Sequence, residues 1–497
     1  MKETSRGDYK KDHVNNNPKT IQAISCIMCL IECGEAKKVL ILCKKSLRYQ
    51  WKNEIEKFTE YDQDKVLIIN GTPKQKEKVY KKFLEMEEGV LISNYDVVVS
   101  DMDTKMLDSI KPQLLVIDEA HTLRGHNTIK NKKISKIAKD IRYKILLTGT
   151  PMASKPDDLY GVMKIMNKDF FGLKKDFDNK FLNYEYGKFG KQLVGYKHLD
   201  ELEELTHNIM IGRSEKEVEL DLPEVLPPNR LYLNMDNTQL KIQDAIESEK
   251  KQLGASINTY QESIKKLQSE GSGGNTNDKL KKLNDNIKIA SDVMKGLQTF
   301  LQMNADDPRV FTLASEKIKE KYGSFVPNSY DMSPKTEALL GIVEDILESN
   351  QKVIIFSMYE REVQLLKKDL EDKLKINVVT YTGSVGTDDR EKNVRLFTTN
   401  DDYNVFVATS AAQEGLNLQC ANNVIHYNQT HIIADKIQRN GRARRVGSKY
   451  KNVFIYDLLT KDTVDEKKIE KLDNEEKLLS NVTGNNEARS KAIIENM

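Results

Sequence analysis

Two series of short apolar runs, each run followed by a helix-length amphipathic stretch, narrow the folds open to this chain more than any other feature. In the first series, from Lys19 to about Ile211, the runs are Val39–Cys43, Val66–Ile69, Val90–Ser93, Leu114–Ile117 and Ile145–Leu147. In the second, from about Lys335 to Leu459, they are Val353–Phe356, Val378–Tyr381, Val405–Ala408, Val424–Tyr427 and Val453–Tyr456. Such alternation predicts two mainly parallel sheets, each covered on both faces by helices. Between the series, residues 237–304 are rich in Lys, Glu, Gln and Leu and are interrupted by Gly271-Ser272-Gly273-Gly274-Asn275. That composition predicts a long helical hairpin with a flexible tip. Two α/β lobes in one chain suggest an internal structural duplication, and the cleft between them is where a ligand touching both would bind. The expected layout is a polar leader over 1–18, a first lobe over 19–225, a helical insertion and linker over 226–332, a second lobe over 333–462 and a charged helical tail over 463–497.

Composition sets the class. At 497 residues the chain is long enough for two or three cores, and 31% charged against 38% hydrophobic residues suits well-solvated helices. The formal net charge is only +2, so contact with nucleic acid has to come from local basic stripes. The longest apolar stretch, Ile21 to Ile31, is broken by Gln22 and Ser25 and is too short to span a bilayer. The first twenty residues lack the apolar core of a signal peptide. Cys26, Cys29 and Cys33 fall on one helical face with no fourth ligand at zinc-like spacing, so they read as small core residues, in keeping with a reducing cytoplasm. Abundant Lys, Asn and Ile with few Pro point to an AT-rich genome, bacterial or phage.

The chemistry is concentrated at strand ends. The run Leu114–Ile117 closes in Asp118-Glu119-Ala120-His121. Carboxylates at the carboxyl end of a buried strand lie at the ligand-binding edge of an α/β sheet. There Asp118 is expected to approach Mg²⁺ and Glu119 to orient or deprotonate a water; the plain alternative is a solvated strand end. Leu147-Thr148-Gly149-Thr150-Pro151 closes the next strand and reads as a rigid hydroxyl-bearing turn. Lys19-Thr20 opens a long helix, the arrangement that puts an ammonium on β/γ-phosphates and a hydroxyl on Mg²⁺. Asn16-Asn17-Pro18 stand where such a loop needs glycines, and proline has no N–H to offer a phosphate. In the second series the small-residue run Ala408 to Leu418, including Gly415, allows close approach of phosphate or ribose. Farther on, Gln438 to Arg445 places Arg442 and Arg445 one helical turn apart, suited to neutralising charge on a transferring phosphoryl group. Arg444 reads as solvated.

Taken in order, these blocks resemble the Swi/Snf family of superfamily 2 helicase-like ATPases, the DNA translocases, from about Lys19 to Leu459. The resemblance is carried also by Ser46 to Glu54, Ser93-Asn94-Tyr95-Asp96, Asp221-Leu222-Pro223 after Arg213, Ser333-Pro334-Lys335-Thr336, and Tyr381-Thr382-Gly383-Ser384 with Arg390. It implies two RecA-like lobes and a DNA-dependent ATP hydrolase using Mg²⁺. Lys19 and Thr20 would meet phosphates and metal, Asp118 would hold the metal and Glu119 would be the catalytic carboxylate. Gln438, Arg442 and Arg445 would be the sensing and finger positions, with Gly415 near the nucleotide. The Ser93 to Asp96, Thr148 to Pro151 and Thr409 to Gly415 neighbourhoods would touch DNA or relay between sites. The family precedes its Lys-Thr with a Gly-rich loop and a base-reading segment, so eighteen unrelated residues here imply a truncated, split or rearranged start. A catalytically impaired DNA-binding relative, or a remodelling factor using the hairpin as a partner arm, are the alternatives.

Overall fold

The computed structural model describes residues 18–149, 156–187, 190–207, 209–211, 222–269, 276–412, 416–445 and 447–483. They divide into two compact units. One holds the described residues of 1–220 with 432–434 and those of 474–497; the other holds those of 221–431 with 435–473.

In the first unit, helix α1 (Pro18–Glu32) leads into β1 (Lys38–Cys43), α2 (Arg48–Phe58), β2 (Val66–Ile68), α3 (Pro73–Glu85), β3 (Gly89–Asn94), α4 (Asp101–Ile110), β4 (Leu114–Ile117), α5 (Ile129–Ala138) and β5 (Tyr143–Leu146). The helix starts are written in the sequence. Thr72 and Gln75 form a capping box before Pro73, while the Ser100 and Thr128 side chains accept backbone N–H bonds at the starts of α4 and α5. The strands form an all-parallel sheet in the order β2-β3-β1-β4-β5, with Leu42 level with both Ser93 and Ile117. Side-chain alternation splits the apolar runs between two cores. Leu40, Leu42, Leu91, Leu115 and Ile117 face one layer; Val39, Ile41, Val90, Ile92, Leu114 and Val116 face the other. Each such side chain, fully buried, contributes about 1.5–3 kcal/mol relative to exposure. The chain leaves β1 toward β2 on one side and reaches β4 on the other. The carboxyl ends of β1 and β4 therefore flank the topological switch point, where α/β sheets bind ligands.

Beyond β5 come α6 (Asp157–Met166), α7 (Lys174–Phe181), the antiparallel pair β6 (Leu182–Gly187) and β7 (Gly190–Tyr196), and α8 (Leu199–His207). The β6–β7 pair was not expected from the sequence. Gly161 of α6 lies so close to the loop after β4 that an added Cβ would fall 1.8 Å from the Arg124 carbonyl oxygen, so only glycine fits there.

The second unit opens with β8 (Glu224–Val225), β9 (Asn229–Leu233), α9 (Asn237–Ser269), α10 (Thr276–Asp306), α11 (Glu316–Lys321) and α12 (Pro334–Glu348). It continues with β10 (Val353–Phe356), α13 (Glu360–Leu374), β11 (Val378–Tyr381), α14 (Thr387–Thr399), β12 (Val405–Ala408), β13 (Asn423–His426), α15 (Ile433–Asn440), β14 (Asn452–Thr460) and α16 (Val464–Thr483). Strands β11-β12-β10-β13-β14 pair in parallel, again with alternate residues in two cores. The short β8 and β9, unforeseen as strands, both add in parallel to β14. Two parallel-sheet α/β lobes are thus present.

Helices α9 and α10 form the expected hairpin; Gly271 to Asn275, read as its flexible tip, lies outside the described residues. Its base is packed around Ile242, Ile246, Leu297 and Leu301, with Phe311 and Tyr322 beside them. The hairpin ends in a buried polar knot. Lys335, in the first turn of α12, donates to Asp306 at 2.7 Å and to Asp465 at 2.6 Å, and all three side chains are at most 1% exposed. Asn428 links Asp306 at 3.1 Å to Glu362 at 2.7 Å. The end of α10, the starts of α12, α13 and α16, and the residues just after β13 are thereby tied together. No helix among the described residues is long and apolar enough to cross a membrane.

Removing one partner of a buried ion pair strands the other and costs about 3–5 kcal/mol. Lys335→Met should therefore lower the stability of the second unit by about 3 kcal/mol or more, read as a shift of its urea midpoint; an unshifted midpoint would deny the knot its structural role.

Candidate active site

The apolar strand β4 delivers two carboxylates to the edge of the first sheet. Asp118 follows Ile117, its N–H donating to the Leu42 carbonyl at 2.9 Å, and its side chain is only 4% exposed. The Asp118 Oδ2 accepts the Trp51 indole N–H at 3.0 Å and Oδ1 accepts the Glu119 backbone N–H at 2.9 Å. The Tyr95 hydroxyl donates to the Asp118 carbonyl. Burial pushes the Asp118 carboxyl above its ordinary range, as does Glu119 beside it, against the Trp51 hydrogen bond and the Lys19 charge. It is a carboxyl short of positive charge.

Glu119 adopts a left-handed backbone, with φ of 50°. Held in that region, a non-glycine residue costs on the order of 1 kcal/mol or more, and such strain collects at working sites. Its Oε2 lies 3.2 Å from His121 Nδ1, which is also 3.2 Å from the Thr148 hydroxyl. Burial alone would raise Glu119, but the His121 hydrogen bond and the charges of Lys19, His121 and Lys44 outweigh it and hold the carboxylate at about 2. Glu119 is therefore ionised throughout the physiological range. That suits accepting a hydrogen bond from a water in a loose phosphoryl transfer, where little proton abstraction is asked of the protein.

Lys19 belongs to the same cluster. An added Cβ on Gly149 would come within 3.2 Å of the Lys19 ammonium, so the lysine lies over the Thr148-Gly149 turn while its charge acts on both Asp118 and Glu119. Pro18 is the first residue of α1, a position where a missing N–H costs nothing. Lys19 and the buried Thr20 follow in that first turn, whose N–H groups and dipole favour an anion. Asn16, Asn17, Thr150 and Pro151 lie outside the described residues.

Among the described residues no cluster of three or more His, Cys, Asp or Glu forms a metal cage. Mg²⁺ does not require one, since it keeps several waters and takes one or two carboxylates plus substrate phosphates. Asp118, with the Thr20 hydroxyl, fits that donor set, and Lys19 fits a phosphate.

Helix α15 ends at Asn440, and Arg442 and Arg445 follow it in a tightened turn in which Arg442 N–H bonds to Arg439 O and Arg444 N–H to Asn440 O. The expectation of two arginines on one helix face is corrected accordingly. Arg442 is 8% exposed and donates to the carbonyls of Gln438 at 3.1 Å and Leu416 at 2.9 Å. Arg445 Nε donates to Gly441 O at 3.1 Å, and burial lowers its pKa. Arg444 bonds to the Pro223 carbonyl at 2.8 Å, so it is not simply solvated. Gln438 is half-buried on α15, and Gly415 lies outside the described residues.

Cys26, Cys29 and Cys33 are exposed on α1 and just past its end, not packed in a core. Ala23, Ile24 and Ile27 take the inward face instead. Of the Ser93 to Asp96 block, Ser93, Asn94 and Tyr95 are buried and Tyr95 reaches Asp118, a linking rather than a surface role.

Several participants had no signal of their own in the sequence. Trp51 and His121 were visible only as members of longer blocks. Arg439 and His426 stood inside quoted runs without any role of their own, and Lys44 lay in none of them. The Arg439 guanidinium, 1% exposed, sits 5.1 Å over the Phe356 ring and 3.4 Å from the Asn428 carbonyl oxygen. His426 meets the Asn440 amide oxygen at 2.9 Å. Together they clamp α15, and hence the arginine-bearing turn after it, to the ends of β10 and β13.

A parallel-sheet lobe carrying Lys-Thr, Asp-Glu and Thr-Gly at one sheet edge, with a second such lobe ending in paired arginines, defines the class of two-lobed helicase-like nucleoside triphosphatases. The comparisons give the family. Residues 18–289 match the SNF2-related domain and residues 335–447 the helicase conserved C-terminal domain. The chain belongs to the SNF2-related, or Swi/Snf, family of ATP-dependent helicases. Similar proteins include the ATP-dependent helicase fft1 of Schizosaccharomyces pombe, 24% identical over 90% of this chain and 48% of that protein. The putative ATP-dependent helicase/translocase YwqA of Bacillus subtilis is 25% identical over 90% and 44%. The human lymphoid-specific helicase is 23% identical over 93% and 58%. The chain thus spans about half the length of these relatives. Among solved structures, the Sulfolobus solfataricus SWI2/SNF2 ATPase core in complex with dsDNA is 20% identical, covering 90% of this chain and 82% of that one with a TM-score of 0.38. The Pyrococcus furiosus Hef helicase domain is 16% identical, covering 92% of each with a TM-score of 0.46.

His426 is fully buried, and burial, with the charges of Lys436 and Arg439, lowers its pKa from 6.5 to about 3. The unfolded chain therefore binds a proton between those values that the folded unit refuses. The stability contributed is fully present above about pH 6.5 and is lost as pH falls toward 3. Melting of wild type against His426→Gln should diverge above pH 6.5 and converge below pH 5 as wild type loses stability faster; parallel pH profiles would contradict a neutral buried imidazole.

Proposed function

We propose that this chain is an ATP-driven motor that moves along duplex DNA. The observation that carries the reading is the convergence of Lys19, Asp118, Glu119, His121 and the Thr148-Gly149 turn at the carboxyl edge of the first sheet. Lys19 binds phosphate oxygens, and the first turn of α1 supplies N–H groups to the same anion. Asp118 and Thr20 would hold Mg²⁺, which would supply positive charge to offset that on the phosphates. Glu119 orients the attacking water by accepting its hydrogen bond, and His121 and Thr148 hold Glu119 in place. Arg442 and Arg445, supplied by the second unit, neutralise charge that grows in the transition state. Gln438 senses the nucleotide from the same segment.

The DNA translocation step rests on family membership and on the helicase and translocase names of the relatives. Contact through phosphates accounts for binding by a chain whose net charge is only +2. The reading as a disabled relative gains nothing from the described residues, because Pro18 opens a helix and leaves Lys19 at the site.

Purified chain should release phosphate from ATP, and duplex DNA should stimulate that release. Glu119→Gln should lower turnover about 100-fold or more while ATP still binds, and Arg445→Ala should lower kcat with little change in ATP affinity, since both act mainly in the transition state. No phosphate release and no ATP binding by the wild-type chain would reject the motor. DNA retention should weaken steeply between 50 and 200 mM salt, by about 10³-fold if six phosphates are neutralised; a flat salt response would reject backbone contact.

A further inference from the structure

Asp118 has in-chain donors on both carboxylate oxygens, and one of them comes from far along the sequence. The backbone N–H of Glu119 serves Oδ1 at 2.9 Å, and the indole N–H of Trp51 serves Oδ2 at 3.0 Å. Trp51 is 2% exposed and lies in the core beneath α2 with Ile55, Val39, Ile41 and Val116. That helix is itself pinned: Arg48 donates to the Ile69 carbonyl at 2.6 Å and Lys52 to the Val66 carbonyl at 3.1 Å. The indole cannot drift without moving α2.

We propose that Trp51 is a positioning residue for the metal-holding carboxylate, its indole N–H fixing the plane in which Asp118 presents its oxygens. The inference rests on the motor reading for what Asp118 holds, but the contact itself does not. A carboxylate oxygen has two acceptor directions, so each Asp118 oxygen keeps one free after its in-chain bond. Two fixed donors remove the rotation that a lone buried carboxylate would retain, leaving the remaining lone pairs aimed in set directions. Indole suits the task because it only donates and carries no charge across the working pH range. A lysine or histidine there would compete with a cation for the same carboxylate. Packing alone does not account for the arrangement: phenylalanine would fill the core, but would leave Asp118 Oδ2 buried without this donor.

The same helix face places a second carboxyl nearby. Glu54, one turn after Trp51 and 6% exposed, accepts from Gln50 at 2.7 Å through Oε1, while its Oε2 has no hydrogen-bond partner among the described residues. Burial, and the charge of Asp118, raise its pKa.

Trp51 is also the sole tryptophan, so its emission reports directly on this contact. Trp51→Phe should raise the Mg²⁺ concentration for half-maximal ATP hydrolysis about tenfold, the loss expected of one hydrogen bond to a charged group, while KM for ATP at saturating Mg²⁺ stays within twofold. A packing role would lower the melting temperature without moving the Mg²⁺ midpoint, and an unmoved midpoint in folded Trp51→Phe overturns the proposal. If that variant does not fold, Trp51 emission decides. Asp118→Ala should shift the emission of the nucleotide-free chain and abolish the change that Mg²⁺ with ADP produces in wild type; spectra identical to wild type in both states overturn the proposal. A wild-type chain without ATP hydrolysis rejects the motor, whereas the nucleotide-free spectra test the Trp51–Asp118 contact regardless.

Discussion

The removal of one carboxylate from water at the end of a parallel strand governs the organisation of the first unit. Asp118 can be buried because β4 lies beside the central strand β1, whose Leu42 carbonyl takes its N–H, and because Trp51 and the Glu119 amide satisfy its oxygens. An unsatisfied buried carboxylate would cost several kcal/mol, enough to consume much of a domain's net stability. The strand register, the placement of α2 and the tyrosine after β3 all serve that one group. Lys19 is the cation whose charge acts on it, against the desolvation and the Glu119 charge that raise its pKa.

The second unit solves a related problem in the opposite sense. Arg439 is a buried guanidinium with no carboxylate bonded to it among the described residues, accommodated by the face of Phe356 and one carbonyl, and burial lowers its pKa to about 10. His426, beside it, stays neutral. Both costs are accepted where the chain turns from α15 toward Arg442 and Arg445. The knot around Lys335, elsewhere in the unit, holds the base of the hairpin to the helices and strand ends about it.

Much of this was legible in the sequence. The strands Leu114–Ile117, Val353–Phe356, Val378–Tyr381 and Val405–Ala408 coincide with the apolar runs, because strands buried on both faces leave an unbroken hydrophobic signature. The β6–β7 pair, by contrast, is built from Leu182 to Tyr196 with tyrosines, glycines and charges, which carries no such signature. Strands β8 and β9 are short additions to one edge, decided by pairing with β14 and not by their own composition. The carboxylates and Lys19 could be named because a strand end and a helix start mark them, and the arginines because they recur at short spacing behind Gln438. Trp51 could not, since its value depends on a partner 67 positions away. The cysteines misled for a related reason: i, i+3, i+7 spacing identifies a shared face but not which way that face points, and Ala23, Ile24 and Ile27 had the stronger claim to the interior.

That outward row of thiols has a practical consequence for anyone following the molecule at work. Cys26 and Cys29 are solvent-accessible on the helix whose opposite end carries Lys19, with Cys33 just beyond, whereas Cys43 is sealed in the core and Cys420 is half covered. An alkylating dye would therefore mark the back of α1 first, some two to three turns from the Lys19 ammonium. The chain carries its own attachment point for a reporter on that helix.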